Sequence, residues 1–171
     1  MTVVVVNTEE SNTRLSNIDE DCMQQAAVDL RLDKIWAMRG DFLIDETQKQ
    51  HRIKVELEVD DDGYYSLSPG VYEVSFDHDI SVGNDEVAYI VPRSTLSRNG
   101  IIIAGGLWDP GFQGRGGCCL HVNGGHMKIK PGTRVGQFLV WKVANAQGSY
   151  DGDYGRNADG SLKNMEQQYH Q

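Results

Sequence analysis

Apolar and charged residues alternate at the start of segment 26–38, where valine and leucine at positions 28, 30 and 32 are interleaved with aspartate and arginine. A period of two is typical of a β-strand with one buried face. The alternation recurs at 52–59, and an acidic turn at 60–63 leads from there to Tyr64, Tyr65 and Leu67. The run at 52–59, the turn at 60–63 and the apolar residues that follow predict a β-hairpin across 52–67.

Shorter apolar runs follow, separated by glycine and proline. They predict strands at 71–76, 87–91, 101–104, 118–122, 127–129 and 135–143. Helical periodicity is scarce, and the one short helix we predict runs to Gln25 from an N-cap at Ser16 or Asn17. Short strands at regular intervals indicate an all-β barrel or prism.

The length of 171 residues fits a single domain with its own core. We assign residues 1–143 to this β domain and expect residues 1–24 to form a partly irregular arm. From Ala144 onward the residues are small and polar, which is typical of a mobile chain end. Segment 144–171 is therefore predicted to be a mobile C-terminal tail.

The chain carries a net charge of −9, from 25 acidic and 16 basic residues. Such a surface repels duplex DNA and anionic membranes, so we expect neither nucleic acid nor membrane as a partner. The opening segment 1–7 lacks a basic region and is too short to span a bilayer. Cys22, Cys118 and Cys119 have no metal-ligand spacing and are predicted to be buried thiols in a reducing compartment. We therefore expect a cytoplasmic protein.

Glycine is most concentrated between 91 and 122, among a few polar side chains. Arg93, Ser94, Thr95 and Arg98 place two guanidiniums and two hydroxyls at a short turn, a donor set suited to phosphate oxygens. Asp109 follows on the far side of the apolar run 101–104. A carboxylate beside a phosphate site favours activation of water, although an aspartate before Pro-Gly is by itself more typical of a turn cap.

Five segments resemble, in order, the motifs of the dCTP deaminase and dUTPase superfamily. They are VDLRL (28–32), PRSTLSRNG (92–100), GLWDPGFQGRG (106–116), PGTRVGQFLV (131–140) and GSYDGDYGRN (148–157). They are most similar to archaeal or viral dUTPases of the deaminase-like branch. The resemblance implies a distorted jelly-roll or β-prism fold of the dUTPase type.

The resemblance also implies roles for single residues. The second motif would bind the substrate triphosphate through Arg93, Ser94, Thr95, Leu96, Ser97 and Arg98, and the fourth motif would add Gln137. Asp109 corresponds to the residue that contacts the 3′-hydroxyl and positions the attacking water, and Phe112 to the aromatic residue beneath the deoxyribose. Uracil would be bound by backbone groups between Gly117 and His121, including those of Cys118 and Cys119. Tyr150 and Tyr154 would belong to a lid that closes over the site.

The implied reaction is hydrolysis of dUTP to dUMP and pyrophosphate, by in-line attack of water on the α-phosphorus. Mg²⁺ would bridge the triphosphate, and Asp29 would hold a water of the metal shell. Because the sites of this family form between subunits, the resemblance also implies a homotrimer with three shared active sites.

Two positions depart from the family pattern. Deaminases of the family carry a glutamate after the third motif, where this chain has Cys119, or His121 if one extra residue is allowed. Without that general base, deamination of dCTP loses its mechanism. In the tail, Asp153 stands where a lysine usually faces the phosphates. Two alternatives stay open: a dCTP deaminase, alone or bifunctional, and a non-catalytic trimeric regulator that binds a nucleotide.

Overall fold

The computed structural model describes residues 2–163, and its secondary structure is almost entirely β. The strands are β1 (Val3–Val4), β2 (Arg14–Leu15), β3 (Val28–Arg39), β4 (Leu43–Ile44), β5 (Lys49–Gln50), β6 (Ile53–Glu56), β7 (Tyr65–Leu67), β8 (Gly70–Ser81), β9 (Glu86–Pro92), β10 (Ile101–Ala104), β11 (Gln113–Val122), β12 (Met127–Ile129) and β13 (Arg134–Lys142). Helix α1 covers Ser94–Arg98, and one 3₁₀ turn covers Glu20–Cys22. The predicted all-β class is confirmed.

The long strand β3 joins the two halves of the main sheet. Its first residues pair with β13, with Asp29 opposite Gln137, and its later residues pair with β8. The β3–β8 register shifts between Leu32 and Ile35, close to the point where the partner changes. Irregularities of this kind bend a strand, so β3 turns a corner and the sheet curls around the core.

The main sheet follows the order β1-β13-β3-β8-β11-β10 around this corner. Three further strands attach to it: β9 pairs with β13, β6 with β3 and β2 with β8. Strands β7 and β12 form a separate two-stranded sheet, as do β4 and β5. Strand β13 therefore has three partners, and together with β9 it carries the second and fourth motifs to one place.

The core lies inside the curl. Inward-facing side chains of the central strands are almost completely buried, among them Leu30, Ile35, Phe76 and Leu120. Trp108 packs against Phe138 with ring centroids 5.3 Å apart. Burial of each large apolar side chain contributes about 1.5–3 kcal/mol, and this packing fixes the strands that carry the candidate site.

A buried glutamate fastens the N-terminal arm to the sheet. Glu86 is fully buried and accepts hydrogen bonds from Ser11 Oγ (3.0 Å) and from the amides of Asn12 (3.0 Å) and Thr13 (2.7 Å). Burial alone would raise the pKa of Glu86, but Lys142 Nζ at 2.8 Å and these donors together lower it. The arm thus contains the short strands β1 and β2 and is tied to the end of β13.

The helix predicted at 16–25 is wrong, because only the 3₁₀ turn Glu20–Cys22 forms there. Asp19 occupies the N-cap position without a side-chain cap bond, and its carboxylate is paired with Arg31 instead. Of the three turn residues only Cys22 is buried. A longer helix would have no apolar face to pack, and most helical stability comes from such a face.

The hairpin predicted across 52–67 is also wrong. The turn is present, since Asp60 N donates to Tyr64 O at 2.8 Å. The strands on either side of it do not pair with each other, because β6 pairs with β3 and β7 pairs with β12. Ile53 and Val55 are 68% and 48% exposed, because β6 lies at the sheet edge and these side chains are not covered. The β4–β5 hairpin was not predicted at all, since its strands are two residues long and exposed, with no buried face.

Within residues 2–163, no helix is long and apolar enough to cross a membrane.

Candidate functional site

The first group of candidate residues surrounds the carboxylate of Asp29. Strand β13 places Gln137 opposite Asp29 on β3 and opposite Val91 on β9. Arg93, directly after β9, brings its Nε to 3.2 Å from Asp29 Oδ2. Residues from the first, second and fourth motifs therefore meet in space although they are distant in sequence.

Asp29 differs from the sequence expectation in its burial. The alternation in β3 predicted a charged face in solvent, yet Asp29 is 1% exposed, because Arg93 and Arg134 cover it. Neither carboxylate oxygen has a partner in hydrogen-bonding geometry among the described residues, although Arg134 Nη1 lies 3.5 Å from Oδ2. Burial raises the pKa of Asp29, and the guanidiniums of Arg93 and Arg134 oppose that rise. The carboxylate therefore holds two arginines in place.

Helix α1 presents the rest of the second motif. Its polar side chains are exposed, namely Ser94, Thr95, Ser97 and Arg98. Leu96 packs its side chain against the core, so it anchors the helix and leaves its polar neighbours facing outward. Arg134, which the sequence did not single out, lies beside Arg93, whose Nη1 donates to the Arg134 carbonyl at 3.4 Å. The position of Arg134 within the fourth motif was the available signal. We call the surface formed by helix α1 together with Arg93, Arg134 and Gln137 the cationic face.

The second group of candidate residues lines a cavity of about 340 Å³. The wall includes residues predicted from the motifs, namely Phe112, Gly117, Cys118, Cys119, Tyr150 and Tyr154. Sequence analysis missed Glu73 and Ser75 of β8, and within the third motif it assigned no role in this cavity to Trp108 or Arg115. Glu73 and Ser75 had no local signal, since only the pairing of β8 with β11 brings them there.

Strand β11 offers an unpaired backbone edge beside this cavity. One side of β11 pairs with β8 along its length, whereas the other pairs with β10 only from Cys119 to Val122. Backbone groups of Gly117 and Cys118 on that second side lie beyond the end of the β10 ladder. The backbone groups predicted to bind a base at 117–121 are therefore not all available, because β10 pairs with β11 from Cys119 onward.

Both cysteines of the wall are protonated thiols. Burial raises the pKa of Cys118 and of Cys119, and the neighbouring Glu73 raises both further. Thiolate nucleophiles require the opposite shift. Cys118 and Cys119 therefore supply small apolar surface and backbone groups to the cavity.

Asp109 and Phe112 are the ends of one tight turn, in which Phe112 N donates to Asp109 O at 3.1 Å. Gly111 within the turn has a φ of +79°, a conformation that favours glycine. The turn leaves Asp109 exposed next to the cavity wall at Trp108. Phe112 is 4% exposed, and the ring of Tyr150 lies across it with centroids 5.3 Å apart.

The described part of the tail covers one side of the cavity. Tyr150 N donates to Pro110 O at 2.7 Å, and Arg156 N donates to Gln113 O at 2.6 Å. Asp153 pairs with Lys49 of β5 at 2.5 Å and is not part of the cavity wall. The Lys49 ammonium lowers the pKa of Asp153. Residues 164–171 lie outside the described chain, and the mobility of the tail stays a prediction.

The two groups lie at opposite ends of strand β10. Helix α1 ends before Ile101, and the Asp109 turn begins after Ala104. Four residues of extended chain span about 13 Å at about 3.3 Å each. Along the chain, strand β10 therefore separates helix α1 from the Asp109 turn by about this length.

No group of three or more histidine, cysteine, aspartate or glutamate side chains in the described part of the chain could hold a metal ion.

Comparison with known proteins identifies similar sequences over most of the chain. The dCTP deaminase-like family model matches residues 5–143. A probable deoxyuridine 5′-triphosphate nucleotidohydrolase of Methanopyrus kandleri is 32% identical over 143 residues, covering 82% of this chain and 92% of that protein. A protein of the same name from Aeropyrum pernix is 34% identical over 138 residues, covering 77% and 84%.

Among solved structures, the 2′-deoxycytidine 5′-triphosphate deaminase of Agrobacterium tumefaciens has a TM-score of 0.56 at 21% identity. The match covers 76% of this chain and 42% of that chain. Similarity at this level concerns the fold alone, and the fold is the one that the five sequence motifs imply.

Proposed function

The chain belongs to the dCTP deaminase-like family, and we propose that within this family it is a dUTP diphosphatase, which hydrolyses dUTP to dUMP and pyrophosphate. The observation that carries the proposal is the similarity, over most of the chain, to archaeal relatives named for acting on dUTP. The folded chain offers what the reaction needs: a cationic face, a cavity suited to a base and sugar, and an exposed carboxylate.

The cationic face would bind the triphosphate. Arg93 and Arg98 supply guanidiniums, Ser94 and Thr95 supply hydroxyls, and Gln137 supplies an amide. Hydrogen bonds from charged donors to phosphate are about twice as strong as neutral ones. They also stabilise the negative charge that grows on the departing pyrophosphate. Asp29 would keep Arg93 directed at the phosphates, since the two groups lie 3.2 Å apart.

The cavity would take the deoxyuridine. Backbone groups of Gly117 and Cys118 would bind the base, and Phe112 beneath the deoxyribose would leave no room for a 2′-hydroxyl. Asp109, at the other end of the same turn, would hold a water in line with the leaving pyrophosphate and accept its proton during attack on the α-phosphorus. Tyr150 and Tyr154 would shield this step from bulk water.

Mg²⁺ would arrive with the triphosphate. Mg²⁺ commonly binds substrate phosphates and several waters with few protein ligands, and the described residues offer no metal cage of their own. Asp29, enclosed by Arg93 and Arg134 with both carboxylate oxygens buried, would not ligate the ion directly. The bound ion supplies positive charge that offsets the triphosphate.

We further propose a homotrimer with shared active sites. The cationic face and the Asp109 turn are separated by the length of β10, about 13 Å. Packing of a second copy would bring α1 of one subunit to the Asp109 turn of the next, and a closed ring of three would form three such sites. A cytoplasmic location, in keeping with three free cysteines, stays a prediction.

Hydrolysis is favoured over deamination by the composition of β11. This strand, Gln113–Val122, contains no carboxylate, and burial raises the pKa of the Cys119 thiol. Neither Cys119 nor His121 replaces the general base that attack on a cytosine ring requires.

One experiment tests the proposed function directly. Purified protein is incubated with dUTP or dCTP and Mg²⁺, and the products are separated by chromatography. We expect dUMP and pyrophosphate from dUTP, and no uracil nucleotide from dCTP. Absence of pyrophosphate with both nucleotides would rule out the hydrolase, and conversion of dCTP to dUTP would favour the deaminase.

A further inference from the structure

One buried ion pair beside the cavity has no part in the hydrolysis described above. Lys54 Nζ lies 2.8 Å from Glu73 Oε2, and the two side chains are 8% and 12% exposed. A second pair on the same sheet, Lys34–Glu56, has a similar spacing of 2.9 Å, but its side chains are 36% and 35% exposed. Taking two charges out of water is unfavourable, so a buried pair at a cavity is a candidate for function.

Glu73 lies in the cavity wall on β8, which pairs with the side of β11 opposite the unpaired backbone edge. It is opposite Cys119 in the β8–β11 register. Its Oε1 is 3.8 Å from the position that a Cβ on Gly117 would occupy. Because Lys54 holds Oε2, the carboxylate directs Oε1 toward the part of the wall where we place the base.

Three other polar side chains of the wall are engaged by protein groups. Ser75 Oγ donates to Asp33 Oδ2 at 3.3 Å, and Arg115 Nη1 donates to the same oxygen at 3.2 Å. Tyr150 OH accepts a hydrogen bond from Tyr154 N at 3.0 Å. Glu73 supplies the carboxylate of this wall, and its Oε1 can accept a hydrogen bond from a ligand.

We infer that Glu73 is a specificity-determining residue, which accepts a hydrogen bond from the N3–H group of a uracil ring while Lys54 holds its carboxylate in place. This role rests on the proposed function, since it presumes a uracil nucleotide in the cavity. Glu73 is not a catalytic residue in this scheme, because it touches the base and not the reacting phosphorus.

The chemistry of the two pyrimidines explains the selection. Uracil presents the N3–H donor between two carbonyl acceptors, so a carboxylate beside backbone amides complements it. Cytosine presents a lone pair at N3, which a carboxylate repels. A site built around a buried hydrogen-bonding group discriminates strongly against a ligand that leaves that group unpaired. Glu73 would thus exclude dCTP at the binding step.

Lys54 keeps the Glu73 carboxylate in the position that this selection needs. Burial lowers the pKa of Lys54, and the hydrogen bond to Glu73 opposes that shift. Lys54 lies on β6, between the first and second motifs, so the family motifs alone would not predict the pair.

The test compares Glu73→Gln with a matched control, Glu56→Gln. Both glutamates lie opposite Trp36, on the two strands that flank it, and both are paired with a lysine. We measure kcat/KM for dUTP and the inhibition constant of dCTP as a competitor. For Glu73→Gln we expect kcat/KM for dUTP to fall about tenfold or more, the scale of one charged hydrogen bond. The amide can donate to cytosine, so dCTP should inhibit more strongly relative to dUTP, again by about tenfold. Glu56→Gln should change neither value.

Binding of dUMP and dCMP, measured by calorimetry, separates this inference from the proposed hydrolysis. Wild-type preference for dUMP that disappears in Glu73→Gln would support the inference even if no pyrophosphate forms. Equal loss of affinity for both nucleotides, or no change, would overturn it. So would release of ammonia from dCTP by the wild type that Glu73→Gln abolishes. If Glu73→Gln does not fold, Glu73→Asp replaces it, since this variant keeps the charge but moves it away from Gly117. Glu73→Asp should weaken dUMP binding and leave dCMP binding unchanged. Equal effects on the binding of both nucleotides would overturn the inference.

Discussion

At the scale of single residues, exposure separates Asp109 from the other carboxylates near the site. Asp29 is buried, Glu73 is largely covered, and both are held by cations, whereas Asp109 is exposed on its turn. A carboxylate must be open to solvent to hold and deprotonate a water, and Arg93, Arg134 and Lys54 occupy that position at Asp29 and Glu73. Asp109 is therefore the residue to which we assign the attacking water.

The substitution Asp109→Asn tests this assignment. Asparagine keeps the volume and one oxygen, so dUTP should bind as before, but kcat should fall by about a hundredfold or more, the scale of losing a positioned base. Steady-state kinetics and calorimetric binding of dUTP give the two values. Asp151→Asn, at an exposed aspartate of the tail, is the control and should be neutral. A kcat near that of the wild type would contradict the assignment.

His78 gives the fold a dependence on pH. The ring is fully buried, Nε2 accepts from Arg31 N at 2.9 Å, and Nδ1 lies 2.9 Å from Ser16 O and donates to it. Burial lowers the pKa of His78 below its ordinary 6.5, although the Ser16 carbonyl opposes this. The unfolded chain then binds a proton before the folded chain does, so stability is full above pH 6.5 and falls as the pH drops toward the lowered pKa.

We therefore expect the Tm to fall between about pH 7.5 and pH 5.5. His78→Gln should lower the Tm at neutral pH and flatten this dependence, since no group at 78 titrates. His126→Gln, at an exposed histidine, should keep the wild-type slope. Differential scanning fluorimetry across the pH range measures both. An unchanged slope in His78→Gln would assign the dependence to another group.

The role of a single residue could be predicted from the sequence where the residues that define it are its neighbours in the chain. A short motif of adjacent residues was enough to identify Arg93, Asp109 and Phe112 as site residues. The burial of Asp29 and the place of Glu73 were not predicted, because their neighbours come from distant strands. Strand pairing, and not local pattern, decides those environments.

At the scale of elements, the tail contributes to the candidate site but not to the strands of the fold. All strands of the domain end by Lys142. Beyond it the tail contacts the cavity through Tyr150, whose ring packs on Phe112, and it is fastened outside the cavity by Arg156, which pairs with Asp79 at 2.9 Å. Closing segments of this kind exclude water and complete a site.

Truncation after Val143 should leave a folded domain and reduce turnover of dUTP by about tenfold or more, because the cavity is uncovered. Circular dichroism and size-exclusion chromatography check the fold, and pyrophosphate release measures turnover. Lys49→Met, which removes only the exposed pair with Asp153, should have little effect, as is usual for surface pairs. Full activity of the truncated protein would show that the tail is not a lid.

Elements were predictable where an apolar run is long or flanked by clear turns. Strands β3, β9, β10, β12 and β13 lie within one or two residues of their predicted bounds. β8 and β11 extend further than predicted, since their polar and glycine-rich ends gain partners only in the folded sheet. The hairpin at 52–67 failed for a similar reason: alternation identifies a strand but does not identify the strand it pairs with.

At the scale of the whole molecule, the separation of the cationic face from the Asp109 turn predicts complementation between subunits. Arg93→Ala and Asp109→Asn should each be nearly inactive alone. When the two variants are unfolded and refolded together, mixed trimers would contain some sites with both residues intact. Random assembly of equal amounts would restore about a quarter of the wild-type activity.

Refolding each variant alone is the control, and light scattering reports the oligomeric state. A mixture that stays inactive, in protein shown to be trimeric, would mean that one chain supplies both residues of each site. A monomer with full activity would contradict the shared site altogether.

Strand β13 also sets the order in which the protein can be made. It is the last strand of the domain, yet β1, β3 and β9 all pair with it, and its register places Trp141 opposite Val3. A ribosome must therefore release almost the entire domain before half of the sheet can close. Until then the nascent chain carries unpaired strand edges, which favour self-association. Contacts between such distant segments also fold slowly. The chain is thus expected to fold after synthesis and to need protection while it waits for its final strand.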